Sequence, residues 1–130
     1  MHYEKVIFEA VPAAMGSRSD DPDTQILHLF DIKRDEFKSG NFQGCLAINA
    51  KLEFQDKDAA IEQACSAFYD KFEAFVAALC LKGGHRNPKK LAREIVILFE
   101  GAIVLGQIHN DPAVPAMAKD MARRLLSQDH

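Results

Sequence analysis

The sequence predicts an all-α fold, a helical bundle of five to six helices. Apolar residues recur at intervals of three and four through most of the chain, the period of an amphipathic helix. Cap-then-proline pairs stand at Asp21-Pro22, Asn87-Pro88 and Asp111-Pro112, the signature of a helix start. No segment reads convincingly as a strand with a partner. The 130 residues suit a single domain over residues 1–130, long enough to bury a sizeable core.

The first helix is expected over His2–Met15, where Val6, Ile7, Ala10 and Val11 share a face and Pro12 loosens the end. Gly16–Asp20 reads as a loop. The second helix opens at Asp21-Pro22 and carries Ile26, Leu29, Phe30, Lys33 and Phe37 on one face, with Lys33 the polar exception. Ser39-Gly40-Asn41 ends it. Cys45–Phe54 alternates like a strand and fits a helix almost as well. A helix is expected because nothing else offers a partner strand.

The longest pattern is Asp58–Leu81, with Ile61, Ala64, Cys65, Phe68, Phe72, Phe75, Val76, Leu79 and Cys80 in phase. Gly83-Gly84 stops it. The next helix runs from Asn87-Pro88 to about His109. From Ile95 onward it is apolar nearly all round, so it must be covered all round. A small domain can cover one side with its own core and the other with a second subunit. Asn110-Asp111-Pro112 then ends this helix and starts the last one, marked by Val114, Met117, Ala118, Met121, Ala122 and Leu125.

Composition narrows the function. The net charge of −3 and the pI near 5.9 argue against a domain that holds nucleic acid by itself. Cys45, Cys65 and Cys80 form no C-x-x-C pair, so no metal site is expected. On one helix, Cys65 and Cys80 would lie about 22 Å apart, too far for a disulfide. Reduced thiols in a cytoplasmic protein are the simple reading. Met1–Ala14 carries Glu4, Lys5 and Glu9 and does not read as a signal peptide. The apolar run Ile95–Leu105 is too short for a membrane span. With no Glu-x-x-His, Gly-x-Ser-x-Gly or phosphate-binding glycine loop, neither an enzyme nor a cofactor is expected.

Two runs carry a family resemblance. Gly44-Cys45-Leu46-Ala47-Ile48-Asn49 follows a capped helix and precedes a long amphipathic one. Leu98-Phe99-Glu100-Gly101-Ala102-Ile103 is followed by Asp111-Pro112 and a short final helix. In order and spacing the chain resembles the regulatory domain of TetR-like transcriptional regulators over about Asp21–Ser127. Glu4–Val11 looks like the helix that follows the family's DNA-reading helix, and residues 1–45 supply no helix-turn-helix. The resemblance implies a homodimer, a small apolar effector, and DNA reached only through a helix-turn-helix unit not present in this chain. The alternatives are a stand-alone dimerising protein that modulates a full-length relative, and a small helical enzyme.

Candidate residues follow from these readings. Phe30, Phe68, Tyr69, Phe72 and Phe99 are the candidate walls of an effector pocket, with Asn49 as a polar anchor and His28 and His109 as further ones. Ordinary core packing is the competing reading for each aromatic residue. Val96, Gly101, Ile103, Met117, Met121 and Leu125 are the candidate dimer contacts. Gly101 and Gly106 sit in the most apolar helix, where close helix approach would offset the low helix propensity of glycine. Glu100, inside an apolar run, needs a partner or water. Lys82, His85, Arg86, Lys89, Lys90 and Arg93 cluster about a turn and read as a solvated loop.

Overall fold

The structure, a computed structural model, describes residues 21–39 and 59–128. Four helices are found among them: α1 (Pro22–Ser39), α2 (Ala59–Lys82), α3 (Pro88–His109) and α4 (Ala113–Gln128). Four therefore stand where five to six were expected. The helices expected at His2–Met15 and Cys45–Phe54, and with them Asn49, lie outside the described residues.

Several helix ends have a local chemical reason, although Asn87, expected to cap α3, makes no side-chain cap bond and leaves Pro88 alone to mark that start. At the head of α1 the Thr24 N–H and hydroxyl both donate to Asp21 Oδ2, at 2.9 and 2.7 Å. These bonds satisfy an orphan donor of the first turn and hold the Asp21 carboxyl below its ordinary value. The end of α2 is a Schellman turn. His85 N–H donates to Cys80 O and Gly84 N–H to Leu81 O, while Gly84 sits at φ +79°. At the end of α3, Asn110 takes the left-handed conformation (φ 48°, ψ 49°). Asp111 then turns the chain and accepts a hydrogen bond from Ala113 N–H at 2.9 Å, which opens α4.

The helices close into a ring of neighbours. The most extensive packing is α2 on α3, α3 on α4 and α4 on α1. The α1–α2 side is sparser, and α1 and α3 touch across the diagonal. Ile26, Leu29 and Phe30 of α1 fill the centre with Phe72, Val76 and Cys80 of α2, Leu91, Ala92 and Ile95 of α3, and Ala118, Ala122 and Leu126 of α4. Burying each large apolar side chain contributes roughly 1.5–3 kcal/mol. Cys65 and Cys80 lie buried on α2, consistent with packing thiols.

Two long-range polar contacts fix α1 at separate points. Asp31 accepts both bonds of Lys119 Nζ, at 2.9 and 3.0 Å, joining α1 to α4. His85 Nε2 lies 2.8 Å from Asp23 Oδ1, joining the α2–α3 turn to the first turn of α1. A Cβ on Gly83 would lie 2.9 Å from Asp23 Oδ1 and 3.1 Å from the His85 ring. Glycine at 83 therefore leaves room for that contact.

Two outcomes check this account. Gly84→Ala forces an L side chain into a left-handed site and is expected to cost roughly 1–2 kcal/mol, read as a lower urea midpoint. Asp21→Ala is expected to fray α1 in a pH-dependent way. The carboxyl is depressed in the folded state, so its stabilisation is complete above the unfolded value and is lost as pH falls through the folded one. Urea midpoints of the parent and Asp21→Ala should converge in acid and separate above about pH 4; a gap independent of pH would contradict the cap.

Candidate functional site: an aromatic core and an uncovered apolar face

The aromatic candidates come together. Phe30 of α1 meets Phe99 of α3 edge-on at 5.5 Å. Phe99 meets Phe72 at 5.3 Å, and Phe72 stacks on Phe68 at 6.2 Å. Phe68 contacts Tyr69 edge-on at 5.3 Å. Edge and offset geometries of this kind are favourable beyond area burial. Phe30, Phe68, Phe72 and Phe99 are buried, and Tyr69 is half-buried. Five residues chosen as pocket walls thus form one continuous aromatic chain spanning three helices, each ring packed on the next.

Glu100 finds its partner within the protomer. The Tyr69 hydroxyl donates to Glu100 Oε2 at 3.3 Å across the α2–α3 seam. Farther along the same seam, Arg93 Nε donates to Glu73 Oε1 at 3.1 Å. The charge inside the apolar run is therefore a seam residue. His28 is buried, with Nδ1 3.7 Å from Asp31 Oδ2. His109 is exposed at the end of α3. Among the described residues no group of His, Cys, Asp and Glu could hold a metal ion.

The basic cluster divides. His85 is buried against Asp23, and Arg93 is paired with Glu73. Lys82, Arg86, Lys89 and Lys90 are exposed around the turn, as a solvated loop requires.

The two faces of α3 differ in what covers them. Leu91, Ala92, Ile95, Phe99, Ala102, Ile103 and Gly106 are buried. On the opposite side Ile97 is 65% exposed, Val104 38%, Leu105 51% and Ile108 68%. These four follow 3–4 spacing with Gly101 and form one stripe along the C-terminal half of the helix. Alongside, α4 exposes Met117 (66%) and Met121 (44%), with Val114 and Leu125 half-buried in the same row.

The dimer candidates are placed as follows. Met117 and Met121 are exposed, Val96, Gly101 and Leu125 are half-buried, and Ile103 belongs to the protomer core. Ile97, Val104, Leu105 and Ile108 were not among the candidates. Their phase was readable from Lys90, Arg93 and Glu94, which precede them on the same side of the helix.

The two glycines of α3 also separate. A Cβ on Gly106 would run into the Phe37 ring, its Cε2 at 2.9 Å, so that glycine seats Phe37 within the protomer. A Cβ on Gly101 would meet nothing within 4 Å.

Comparison with known proteins fits this architecture. The family described as transcriptional regulator LmrA/YxaF-like, C-terminal domain, a TetR C-terminal-domain family, matches residues 22–124. The chain belongs to this TetR family. Its class is that of transcriptional-regulator domains, not of enzymes. The crystal structure of a TetR family transcriptional regulator from Cytophaga hutchinsonii superposes with a TM-score of 0.81 at 16% identity, covering 99% of this chain and 68% of that one. At that identity the likeness is one of fold. No curated protein matches the chain. No helix among the described residues is long and apolar enough to cross a membrane.

The aromatic chain of this TetR-type domain is testable by truncation. Phe99→Ala is expected to cost about 3–5 kcal/mol of unfolding free energy, because Phe99 joins rings from α1 and α2. Tyr69→Phe, which removes only the hydroxyl bond to Glu100, should cost about 0.5–1.5 kcal/mol. Chemical denaturation of the two variants measures both.

Proposed function

We propose that residues 1–130 form the effector-binding and dimerisation domain of a TetR-type transcriptional regulator. In this reading a homodimer forms through α3 and α4 in the cytoplasm and responds to a small apolar effector. DNA is reached only through a helix-turn-helix unit. The observation that carries the proposal is the uncovered stripe of Ile97, Val104, Leu105 and Ile108, flanked by Met117 and Met121. Contiguous apolar surface of this kind marks an interaction site rather than a solvated face. The family match supports the regulatory assignment.

The effector half rests on the aromatic residues. Phe30, Phe68, Phe72 and Phe99 offer apolar, polarisable walls, and the Tyr69–Glu100 pair sets a polar group at their edge. A small apolar ligand would enter by displacing part of this ring packing. Its affinity would then be limited by the stability of the arrangement it displaces.

Val104→Asp places a carboxylate in the middle of the stripe and leaves the buried half of α3 untouched. The parent chain is expected to sediment as a dimer at micromolar concentration and Val104→Asp as a folded monomer with unchanged helical content. A parent chain that sediments as a monomer at hundreds of micromolar would remove the dimer from the proposal.

A further inference from the structure

The uncovered face of α3 carries an asymmetry that the protomer leaves unexplained. Glycine is a poor helix former, disfavoured in a helix interior relative to every residue except proline. Gly106 has a reason inside the protomer, the Phe37 ring against it. Gly101 does not, because a side chain there would extend into open space. It lies midway along the exposed stripe, four residues after Ile97 and four before Leu105. Open space on the protomer side leaves an approach from outside as the physical use of a missing Cβ.

We propose that Gly101 is the crossing point of the two α3 helices in the dimer, with the molecular two-fold axis passing beside it. The inference rests on the dimer proposed above and adds its geometry. The partner is a second copy of this chain. An isologous interface requires each patch to complement itself. With the two helices antiparallel, a two-fold axis perpendicular to them at residue 101 sets Ile97 of one protomer against Leu105 of the other, and the reverse, because both stand about one turn from the axis.

The size of the face agrees with that partner. Ile97, Val104, Leu105, Ile108, Met117 and Met121 are each between 38% and 68% exposed, and six large apolar side chains at that exposure make a patch of roughly the several hundred Å² that monomers rarely exceed. With a polar rim this approaches the roughly 800 Å² that each partner buries in a standard interface. The bulk of Ile97 and Leu105 on either side of a gap suits helices that cross closely at one point and diverge with their side chains interlocked.

The test uses the full 130-residue chain. Sedimentation equilibrium gives the dimer dissociation constant of the parent, Gly101→Ala and Gly101→Val. Oxidation followed by a non-reducing gel gives the cross-linking of Gly101→Cys and Ile97→Cys above the parent level, which accounts for the native cysteines. Because residue 101 has room around it in the protomer, all variants should fold, with Gly101→Ala at least as helical as the parent.

The expected result is a dissociation constant raised at least tenfold in Gly101→Val and by a smaller factor in Gly101→Ala. Gly101→Cys should cross-link efficiently, since Cα atoms near the axis lie within disulfide range. Ile97→Cys should not, since its two copies would stand about 12 Å apart along the crossing helices. A dimeric parent, with Gly101→Val pairing as tightly and Gly101→Cys uncross-linked, would overturn the crossing point while leaving the dimer standing. A monomeric parent would overturn both.

Discussion

Helix α3 has apolar side chains around most of its circumference over its C-terminal half, while the protomer supplies enough partners for one side. Its buried side is met by α2, α4 and, across the diagonal, by Phe30 of α1. Its outer side keeps Ile97, Leu105 and Ile108 more than half exposed. Much of the fold can be understood from that constraint. The aromatic residues converge on Phe99 because it faces the centre of the ring of helices. Gly106 gives up a side chain to seat Phe37. The buried stripe of α4 contains Ala118 and Ala122, whose small side chains let that helix lie close against the core. The core is complete on the inside of α3 and unfinished on the outside.

Polar contacts contribute position more than cohesion. Asp31–Lys119 and Asp23–His85 bind α1 to α4 and to the α2–α3 turn. A half-buried ion pair such as Asp31–Lys119 gives back much of its Coulomb gain in desolvation. Their geometry, by contrast, is selective. Sliding α1 by one turn, about 5.4 Å, would break both contacts together. The apolar stripe of Ile26, Leu29 and Phe30 could find new partners after such a slide, whereas these two carboxylates would lose theirs. The register of α1, and with it the place of Phe30 against Phe99, is therefore set jointly by packing and by charge.

Much of this was legible in the sequence, and the reason differs from element to element. The starts of α1 and α4 are chemical signals confined to a few residues, a capping carboxylate beside a proline, whereas α3 keeps the proline of its signal but Asn87 makes no side-chain cap bond. The end of α2 is equally local, because Gly84 answers a demand for positive φ. The aromatic chain was foreseeable as a set, since Phe68 and Phe72 share one face of α2, but the partners of its rings on other helices were not. Long-range pairs such as Asp23–His85, separated by 62 positions, leave no local trace. The uncovered face was foreseen as a need and only partly as residues. An all-round apolar segment has no phase of its own, so nothing within it separates Ile103, which is buried, from Ile97, which is exposed. The phase is carried by the polar first turns, where Lys90, Arg93 and Glu94 mark the solvent side that the apolar stripe then inherits.

The same helix serves the aromatic core and the proposed interface, and this limits how the two can behave independently. Phe99 and Gly101 are two residues apart, about 3 Å along the axis and on opposite sides of α3. Under the proposed reading, an effector that displaces the Phe30–Phe99–Phe72 contacts acts on a rigid rod whose far side is the dimer seam. A shift of α3 that accommodates the ligand must be taken up at the seam or resisted there. Linkage makes the relation reciprocal, so a dimer that favours one placement of α3 changes effector affinity by the same factor by which the effector changes dimer affinity. The strength of that coupling is bounded by the difference between two packings of one helix. A close crossing of α3 helices would make that difference steep, because interlocked side chains tolerate little sliding.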